Sequence, residues 1–330
     1  MVTSRHSTDS EAMAGREPRN EHAEPKPMRV SVIVPVYNGE RVLPGLLEAL
    51  SAQTYPREHT EILVVNNNSV DRTGAVIDQW LIRGVTHLRC EQQGSYAARN
   101  LAIAHARGDV LAFTDADCRP CPDWLQAGVD TIRRAKVDRI AGLVTLRLCR
   151  KPGLWELVDA TNYKLGEKLA ATGLVATANL LITRTAIDKV GPFDDTIISG
   201  GDMEFGRRCN ALGISYRFSP EVKVTHRARG AWEQIRRSRR IGVGLAQTTS
   251  EPLLTRANHH WKDLVPGASL AGLTSADLGE VAISKWRWVQ VLAMRYLAVD
   301  MVRSAAHVWG RWLLRHGRAE RTLAKVSRSG

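Results

Sequence analysis

Residues 94–118, GSYAARNLAIAHARGDVLAFTDADC, decide the fold. The apolar spacing of the first part predicts a helix with Gly108 just past its end, and Asp109–Phe113 predict a buried strand. Two carboxylates, Asp115 and Asp117, follow that strand directly. A buried strand does not end in paired negative charge unless water, hydrogen-bond donors or a cation neutralise it. The pair therefore lies either in solvent at the strand exit or at a metal site.

The same order of strand and helix precedes this stretch. Residues 30–36, VSVIVPV, predict a buried parallel strand, the following VLPGLLEALSAQT predicts a helix, and residues 62–65, ILVV, predict a second strand. This alternation predicts a mainly parallel α/β sheet with right-handed crossovers, which binds ligands beyond the carboxyl ends of its strands. The sequences at those ends are YNGE, NNNS and TDAD, and we expect them to converge on one crevice.

The second half of the chain mixes strands and helices less regularly. It predicts a strand in TANLLITR, a loop leading into a helix in GGDMEFGRRCNALG and a bent strand in ISYRFSPEVKVTHRARG. Beyond Gly230 the sequence becomes rich in Arg and Trp and predicts helices. The last of these predicts one apolar face, formed by Val291, Tyr296, Val299, Val302, Val308 and Trp309.

The composition is that of an ordinary soluble protein, with 44% hydrophobic and 24% charged residues among 330. No apolar run reaches the roughly 18 residues needed to cross a bilayer. Residues 1–28 lack the apolar core of a signal peptide and predict a disordered tail. The formal net charge is +12, and residues 231–330 hold 16 Lys and Arg against 7 Asp and Glu. That surplus favours an anionic partner such as a phospholipid head group, or else forms a solvated helix face.

The cysteines give little sign of a shared function. There are five, Cys90, Cys118, Cys121, Cys149 and Cys209. An odd number without a signal peptide indicates free thiols in a reducing compartment. Cys118 and Cys121 have the spacing of zinc ligands, but no second pair completes a site, so we interpret this spacing as coincidence.

Seven segments, in order, carry a resemblance to a known family. They are VSVIVPVYNGE, EILVVNNNSVDRT, GSYAARNLAIAHARGDVLAFTDAD, TANLLITR, VGPFDD, GGDMEFGRR and VTHRARG. Over about residues 30–229 the chain resembles the family 2 glycosyltransferases of the GT-A fold. The resemblance implies an α/β fold with a Rossmann-like, mainly parallel central sheet flanked by helices, followed here by a C-terminal helical extension. The chain then divides into a disordered tail (1–28), a nucleotide-sugar-binding half (29–145), an acceptor-binding half (146–230) and a basic amphipathic extension (231–330).

The resemblance implies a divalent cation, Mn²⁺ or Mg²⁺, on the diphosphate of a nucleotide-sugar donor. Such a cation stabilises the charge of the leaving diphosphate and needs only one or two protein carboxylates. Asp117 is the implied metal ligand, and Asp115 is implied to contact the ribose or the base. His226, in VTHRARG, is implied as a second ligand or a phosphate contact, although a lone His at a strand end is otherwise usually structural.

The resemblance also implies a place for the nucleotide base, over Pro35 and Tyr37 with Glu40 nearby. Asn67 ends the second strand, where the family usually offers an acidic residue, and an Asn carbonyl can still accept the N3–H of uracil. Uridine is therefore favoured, with guanosine and thymidine as alternatives. Arg99 is placed to contact the base or a phosphate, unless it is only a solvated residue of an exposed helix.

Asp202, in GGDMEFGRR, matches the family's catalytic base. A base in this position takes the proton of the acceptor hydroxyl during an in-line displacement, which inverts the anomeric carbon. Gly201 stands where many members carry Glu, so the acceptor contact made by that Glu is absent. Glu204 either compensates for it or pairs with Arg207 or Arg208 on the following helix.

A basic segment follows the acceptor region. It contains Gln234-Ile235-Arg236-Arg237 but lacks the Trp of the Gln-x-x-Arg-Trp signature of some processive relatives, so we do not expect a processive enzyme. The four arginines of this segment, Arg236, Arg237, Arg239 and Arg240, either clamp a diphosphate or a lipid-phosphate acceptor, or belong to a solvated helix face.

These features predict an inverting, metal-dependent enzyme that moves a sugar from a nucleoside-diphosphate donor to a hydroxyl acceptor. The acceptor is a glycan, a lipid-linked molecule or a small molecule. We expect the protein in the cytoplasm, with the helices of residues 286–316 resting on the anionic inner face of the membrane or serving a homodimer.

Three other classes of protein are alternatives to this one. A nucleotidyltransferase would carry a Gly-rich basic loop after the first strand, which VPVYNGE lacks. A nucleic-acid-binding protein would place stacking aromatics beside its basic residues, but aromatic content is only 6%, so no nucleic-acid partner is expected. A non-catalytic scaffold of the same fold is the third alternative, and the presence of both Asp117 and Asp202 argues against it.

Overall fold

The structure, a computed structural model, describes residues 27–149, 151–161, 172–174, 176–248, 290–291 and 293–315. Its strands are β1 (Val30–Val36), β2 (Thr60–Asn66), β3 (Val85–Arg89), β4 (Val110–Thr114), β5 (Cys118–Pro120), β6 (Arg139–Arg147), β7 (Asn179–Thr183) and β8 (Tyr216–Arg227). Its helices are α1 (Leu43–Ser51), α2 (Thr73–Asp78), α3 (Ser95–His105), α4 (Trp124–Ala135), α5 (154–161), α6 (Arg184–Val190), α7 (Gly201–Ala211), α8 (Ala231–Thr248) and α9 (Met301–Arg315). Residues 1–26 of the predicted disordered tail lie outside the described residues.

The eight strands form one sheet in the order β3-β2-β1-β4-β7-β6-β8-β5. The first four of these are parallel to one another. β7 runs antiparallel to both β4 and β6, β8 runs parallel to β6, and β5 closes the edge antiparallel to β8. The prediction of a mainly parallel α/β sheet with strand–helix alternation in the first half is confirmed.

Helices cover both faces of the sheet, because successive side chains of each strand point to opposite faces. In β1, Val30, Val32 and Val34 pack against α1 and α4, whereas Ile33 packs on the other face against α3, α6 and α7. Each such side chain stabilises the fold by about 1.5–3 kcal/mol when it leaves water. The result is a three-layer fold whose strand ends stay fixed relative to one another.

Gly108 does not cap the helix that precedes it, so that prediction was wrong. α3 ends at His105, and the next residue is already extended. A Cβ atom at Gly108 would lie 2.6 Å from the backbone nitrogen of Ser31. The glycine instead lets the chain pass close to β1, where its N–H donates to Ser31 Oγ over 2.8 Å.

An irregular stretch in β8 is held by one buried amide. The register of β6 against β8 shifts between Gly142 and Leu143. Asn179 Nδ2 donates to the carbonyls of Leu143 (2.9 Å) and Val222 (2.8 Å), and its Oδ1 accepts from Trp124 Nε1 over 2.9 Å. The side chain thus satisfies two carbonyls that the shift removes from the ladder, which is the bend that the sequence predicted.

The C-terminal helix packs on α8 at two glycines. A Cβ atom on Gly242 would lie 2.2 Å from the carbonyl oxygen of Arg303, and one on Gly310 would lie 3.0 Å from Ala246 Cβ. The helices can approach this closely only because neither glycine has a side chain. Among the helices that the structure describes, none combines the length and the apolar character that crossing a bilayer requires.

The prediction of one apolar face on the last helix was wrong. Val291 and Val299 are fully buried, whereas Tyr296 and Val308 are exposed. At about 100° per residue, Val308, nine residues after Val299, falls on the opposite face of a helix, and Tyr296 lies within the π-helical turn Arg295–Asp300, where the α-helical period does not hold. The buried valines instead pack against α5.

Candidate active site

A cavity of about 610 Å³ opens at the carboxyl ends of β1, β2 and β4. The three polar turns that follow these strands converge there, as predicted. Of the residues singled out in the sequence, those that line the cavity are Pro35, Tyr37, Asn67, Arg99, Asp115, Asp117, Asp202, His226, Arg236, Arg237 and Arg240. A cavity of this size suits a ligand as large as a nucleotide-sugar.

Asp117 and His226 meet at the cavity wall because β5 pairs with β8. The ladder places Cys118 opposite His226, and Asp117 immediately precedes Cys118. His226 Nε2 lies 2.8 Å from Asp117 Oδ2 and 2.6 Å from a guanidinium nitrogen of Arg229. Arg229 itself lies 3.8 Å from the Asp117 carboxylate.

The electrostatics of Asp117 favour its charged form. Burial alone would raise the pKa of this carboxyl, but the hydrogen bond from His226 and the positive charges of His226 and Arg229 lower the pKa to about 2. Asp117 is therefore an anion at any physiological pH, which is the form that binds a cation.

The donor atoms at this wall fit a divalent cation. Ligand atoms of Asp117, Cys118 and His226 all lie within 4.8 Å of one another. His226 Nδ1 faces the carbonyl oxygen of Arg227 and donates to it, so loss of the Nε2 proton that Asp117 accepts would leave a lone pair directed at the same place. Two acceptors at 2.8 Å repel each other unless a proton or a cation lies between them, and carboxylate oxygen with imidazole nitrogen is a suitable donor set for Mn²⁺.

Asp115 is held by Arg99 on α3. A guanidinium nitrogen of Arg99 donates to Asp115 Oδ1 over 2.6 Å, and only 3% of Arg99 is exposed. A second nitrogen donates to the carbonyl of Ser95 over 3.3 Å. Arg99 is thus not a solvated surface residue. It is also not free to extend towards a phosphate, because one edge of its guanidinium binds and orients the Asp115 carboxylate.

Asn67 is occupied by the protein itself. Its Nδ2 donates to the carbonyls of Cys90 (3.3 Å) and Gln92 (2.6 Å), and its Oδ1 accepts from the Gly94 N–H over 2.8 Å. The side chain therefore closes the loop between β3 and α3, although it lines the cavity. An amide suits this place because it offers donors and an acceptor together, whereas a carboxylate offers only acceptors.

Asp202 lies in the first turn of α7, where the helix dipole favours a negative charge. Its Oδ1 accepts from the Met203 N–H over 3.0 Å and from the Tyr96 hydroxyl over 3.4 Å. Burial raises the pKa of the Asp202 carboxyl, although the nearby charge of Arg99 opposes the shift. A carboxylate with a raised pKa is a better proton acceptor than an ordinary aspartate.

Glu40, Glu204 and Arg239 do not line the cavity. The Glu40 carboxylate accepts from the backbone N–H of Arg72 over 3.0 Å, which draws it away from the place predicted for the base. Glu204 pairs with Arg208 at 2.7 Å, the second of the two alternatives that the sequence left open.

Arg239 lies on another face of α8 from the arginines of the cavity. Its guanidinium stacks over the ring of Trp309 on α9, 5.5 Å from the ring centroid. Arg236, Arg237 and Arg240 face the cavity instead. Burial lowers the pKa of Arg240, and the positive charges of Arg229 and Arg99 lower it further.

Tyr96 and Arg229 line the cavity although sequence reasoning gave neither of them a role. Arg229 follows His226 by three residues, beyond the end of a strand whose side chains already face the site. Tyr96 offered no signal, because an aromatic in the first turn of an apolar helix indicates core packing.

Comparisons with known proteins place this arrangement among sugar-transferring enzymes. A family profile described as "Glycosyl transferase family 2" matches residues 31–171, and one described as "Glycosyl transferase family group 2" matches residues 110–314. The chain is 37% identical over 223 residues to glycosyltransferase AglE of Haloferax volcanii, covering 66% of this chain and 73% of AglE. It is 29% identical over 221 residues to the O-antigen biosynthesis protein RfbC of Myxococcus xanthus, covering 60% of this chain but only 17% of RfbC.

A solved structure shares the fold. It is that of the mannosyltransferase PcManGT from Pyrobaculum calidifontis, in complex with GDP-Man and Mn²⁺. The match has a TM-score of 0.52 and 22% sequence identity, and it covers 87% of this chain and 85% of PcManGT.

Proposed function

Because the chain belongs to glycosyl transferase family 2, has the GT-A fold and is an enzyme of the hexosyltransferase type, we propose that it transfers a sugar from a nucleoside-diphosphate donor to a hydroxyl acceptor with inversion of the anomeric carbon. This proposal rests on the observation that the candidate cation ligands and the candidate base line one cavity. A carboxylate–imidazole pair suited to a cation, Asp117 with His226, and a carboxylate of raised pKa, Asp202, line the same space.

The donor is a nucleoside-diphosphate sugar, with a UDP-sugar favoured. Pro35 and Tyr37 at the end of β1 offer an apolar and an aromatic surface for the base, and Asp115, oriented by Arg99, offers an acceptor to the ribose. Asn67 is assigned a different role from the one expected, since its amide orders the loop beside the base.

Positive charge at the cavity stabilises the departing diphosphate. A divalent cation, Mn²⁺ or Mg²⁺, held by Asp117 and His226 would act as a Lewis acid on the leaving phosphates. Arg236, Arg237 and Arg240 of α8 add fixed positive charge that needs no rearrangement during the reaction. Guanidinium groups suit this task because they remain charged even when buried and bind phosphate oxygens with two nitrogens.

Asp202 is the general base. It takes the proton of the acceptor hydroxyl as that oxygen attacks the anomeric carbon and the diphosphate leaves. One displacement by one nucleophile inverts the configuration. Residues 29–145 then form the donor half and residues 146–230 the acceptor half, with α8 of the C-terminal extension completing the cavity.

We assign the acceptor to lipid-linked or cell-envelope glycans and the protein to the inner membrane surface. The similarity to RfbC, an O-antigen biosynthesis protein, supports the first assignment. Support for the second comes from exposed apolar side chains on α9, where Met301 is 51% and Val308 is 68% exposed, and from the basic surplus of residues 231–330. Co-sedimentation with anionic vesicles at low salt should fall in Val308→Ser but not in Ile82→Ser, which changes a still more exposed apolar residue elsewhere.

A thermal-shift series tests the donor and the metal together. The purified chain is heated with UDP, GDP, dTDP or CMP, each with Mn²⁺, Mg²⁺ or EDTA. A ligand at a hundredfold excess over its Kd stabilises the native state by about 2.7 kcal/mol. We expect one diphosphate to give a metal-dependent shift that Asp117→Ala removes and Asp123→Ala, at an exposed carboxylate nearby, retains. No shift with any nucleotide would overturn the proposed function and favour the non-catalytic scaffold.

A further inference from the structure

We propose that Tyr96 is a positioning residue for Asp202, holding one carboxylate oxygen so that the other faces the reacting hydroxyl. This inference rests on the proposed function, since it gives a role to the side chain that touches the general base. Tyr96 lies in the first turn of α3, which packs on the same face of the sheet as α7. Nothing in the sequence motif around Asp202 requires a tyrosine there.

The Tyr96 hydroxyl makes two contacts with the same residue. It accepts from the Asp202 backbone N–H over 3.2 Å and lies 3.4 Å from Asp202 Oδ1, to which it can donate its proton. Oδ1 also accepts from the Met203 N–H over 3.0 Å. The phenol and the helix start therefore fix both the backbone and one oxygen of Asp202.

The two oxygens of Asp202 consequently differ. Oδ1 has two donors, whereas no residue that the structure describes donates a hydrogen bond to Oδ2. The carboxylate borders the cavity, so Oδ2 is the oxygen that can accept a proton from a substrate. A base held through one oxygen keeps the lone pair of the other in a constant direction, which is what a general base needs.

Tyr96 remains a donor at physiological pH. Burial raises the pKa of its phenol, and the negative charge of Asp202 raises it further. The ring is itself fixed, because it is 94% buried by relative area and stacks on Phe193 with centroids 5.8 Å apart. A protonated phenol on a fixed ring can orient a carboxylate without competing for the substrate proton.

The space that the Tyr96 ring occupies explains why residue 201 is glycine. A Cβ atom on Gly201 would lie 2.8 Å from Cε2 and 2.9 Å from Cζ of the ring. Any larger residue at 201 would push the phenol away from Asp202. Gly201 and Tyr96 thus pack against each other, and the lack of a side chain at Gly201 leaves room for the Tyr96 ring and its hydroxyl.

The charged groups around Asp202 determine how its titration responds to Tyr96. Arg99 on α3 lowers the pKa of Asp202 and Asp115 after β4 raises it, while Arg240 on α8 acts on the phenol. A hydrogen bond from the phenol stabilises the carboxylate form. Removing that bond therefore raises the pKa of Asp202 and moves the acidic limb of the rate profile to higher pH.

The kinetic test uses Tyr96→Phe in the full chain. Release of nucleoside diphosphate is measured against pH with UDP-glucose and GDP-mannose, Mn²⁺ and water as acceptor. We expect turnover to fall about tenfold, the size of one lost hydrogen bond to a charged group, with an unchanged KM and an acidic limb at higher pH. Tyr55→Phe, which removes a buried hydroxyl bonded to the Met28 carbonyl, should change neither quantity.

A packing test needs no substrate. Gly201→Ala should lower the thermal unfolding midpoint by roughly 5 °C in the wild-type background, and should cause almost no further fall in a Tyr96→Ala background, where the ring is gone. Equal falls in both backgrounds would overturn the packing argument.

The outcomes separate the two proposals. An active wild type with an unaltered rate profile in Tyr96→Phe would overturn the positioning role and leave the proposed function intact. A wild type that releases no diphosphate from either donor and binds no nucleotide would overturn the proposed function, and the role of Tyr96 with it.

Discussion

Replacing Asn67 with aspartate exchanges an amide for a carboxylate of the same shape at the end of β2. The amide donates to the carbonyls of Cys90 and Gln92 and accepts from the Gly94 N–H. A carboxylate keeps the acceptor and loses both donors. It also turns a negative oxygen towards two carbonyl oxygens, at a side chain that is only 6% exposed.

The loss in the free energy of unfolding follows from these contacts. A buried carbonyl left without its donor costs about 1–3 kcal/mol, and the Gly94 bond, strengthened by charge, returns about 1 kcal/mol. Adding the repulsion of the carboxylate by the two carbonyls gives a net loss of about 2–4 kcal/mol. At roughly 2–4 °C per kcal/mol, Asn67→Asp should lower the unfolding midpoint by about 4–16 °C.

The assay is thermal unfolding of three proteins side by side. Asn68→Asp is the matched control, because Asn68 is exposed and adopts a positive φ of 60° that aspartate tolerates. It should unfold close to wild type. The loss in Asn67→Asp should shrink as the pH falls and the buried carboxylate becomes protonated. Equal midpoints for the two variants would refute the view that Asn67 holds this loop.

Three further predictions concern the cavity and the bend in β8. Because burial raises the pKa of Asp202 and the base must be deprotonated, diphosphate release should decline on the acid side at a higher pH than an exposed aspartate would give, and Asp202→Asn should reduce turnover by roughly 10²–10⁴-fold. Arg240→Ala should weaken nucleoside-diphosphate binding about tenfold in calorimetry, whereas Arg239→Ala should not, since that guanidinium stacks outside the cavity. Gly142→Ala places a Cβ atom 2.2 Å from Asn179 Nδ2 and should lower the free energy of unfolding by about 1–3 kcal/mol in urea titration, and an unchanged midpoint would contradict the close packing.

The strands of the first half could be predicted because their residues are apolar on both faces. β1 matches the predicted residues 30–36, and β2 extends the predicted 62–65 by only two residues at its start and one at its end. Such an apolar run fits few structures other than a central strand, because burial of both its faces requires helices on each side of the sheet. The meeting of the polar turns then follows from the topology, which is why Asp115, Asp117 and Asn67 were found in advance.

The misplaced residues depended on contacts that are distant in sequence. Arg239 and Arg240 are neighbours with similar local sequence, and only the packing of α8 on α9 decides which one faces the cavity. Glu40 was expected at the base, but its carboxylate accepts the Arg72 N–H, 32 residues away. No periodicity or spacing encodes such a partner.

The same limit applies to Tyr96. Its ring belongs to the core by every local measure, and its hydroxyl meets Asp202 only because α3 and α7 cover the same face of the sheet. The sequence shows that Gly201 departs from the Glu that many family members carry. The residue that requires a glycine there, Tyr96, lies 105 residues earlier in the chain.

The close packing of α9 on α8 at two glycines determines where this protein can be shortened. Residue 230 is an inviting place to cut, because the sheet ends just before it and the composition changes just after it. A fragment trimmed there would keep every strand that the structure describes, together with the carboxylates of Asp115, Asp117 and Asp202. It would also lose Arg236, Arg237 and Arg240, and with them one side of the donor cavity. A minimal version for crystallisation or display should therefore retain α8 together with the helix that braces it.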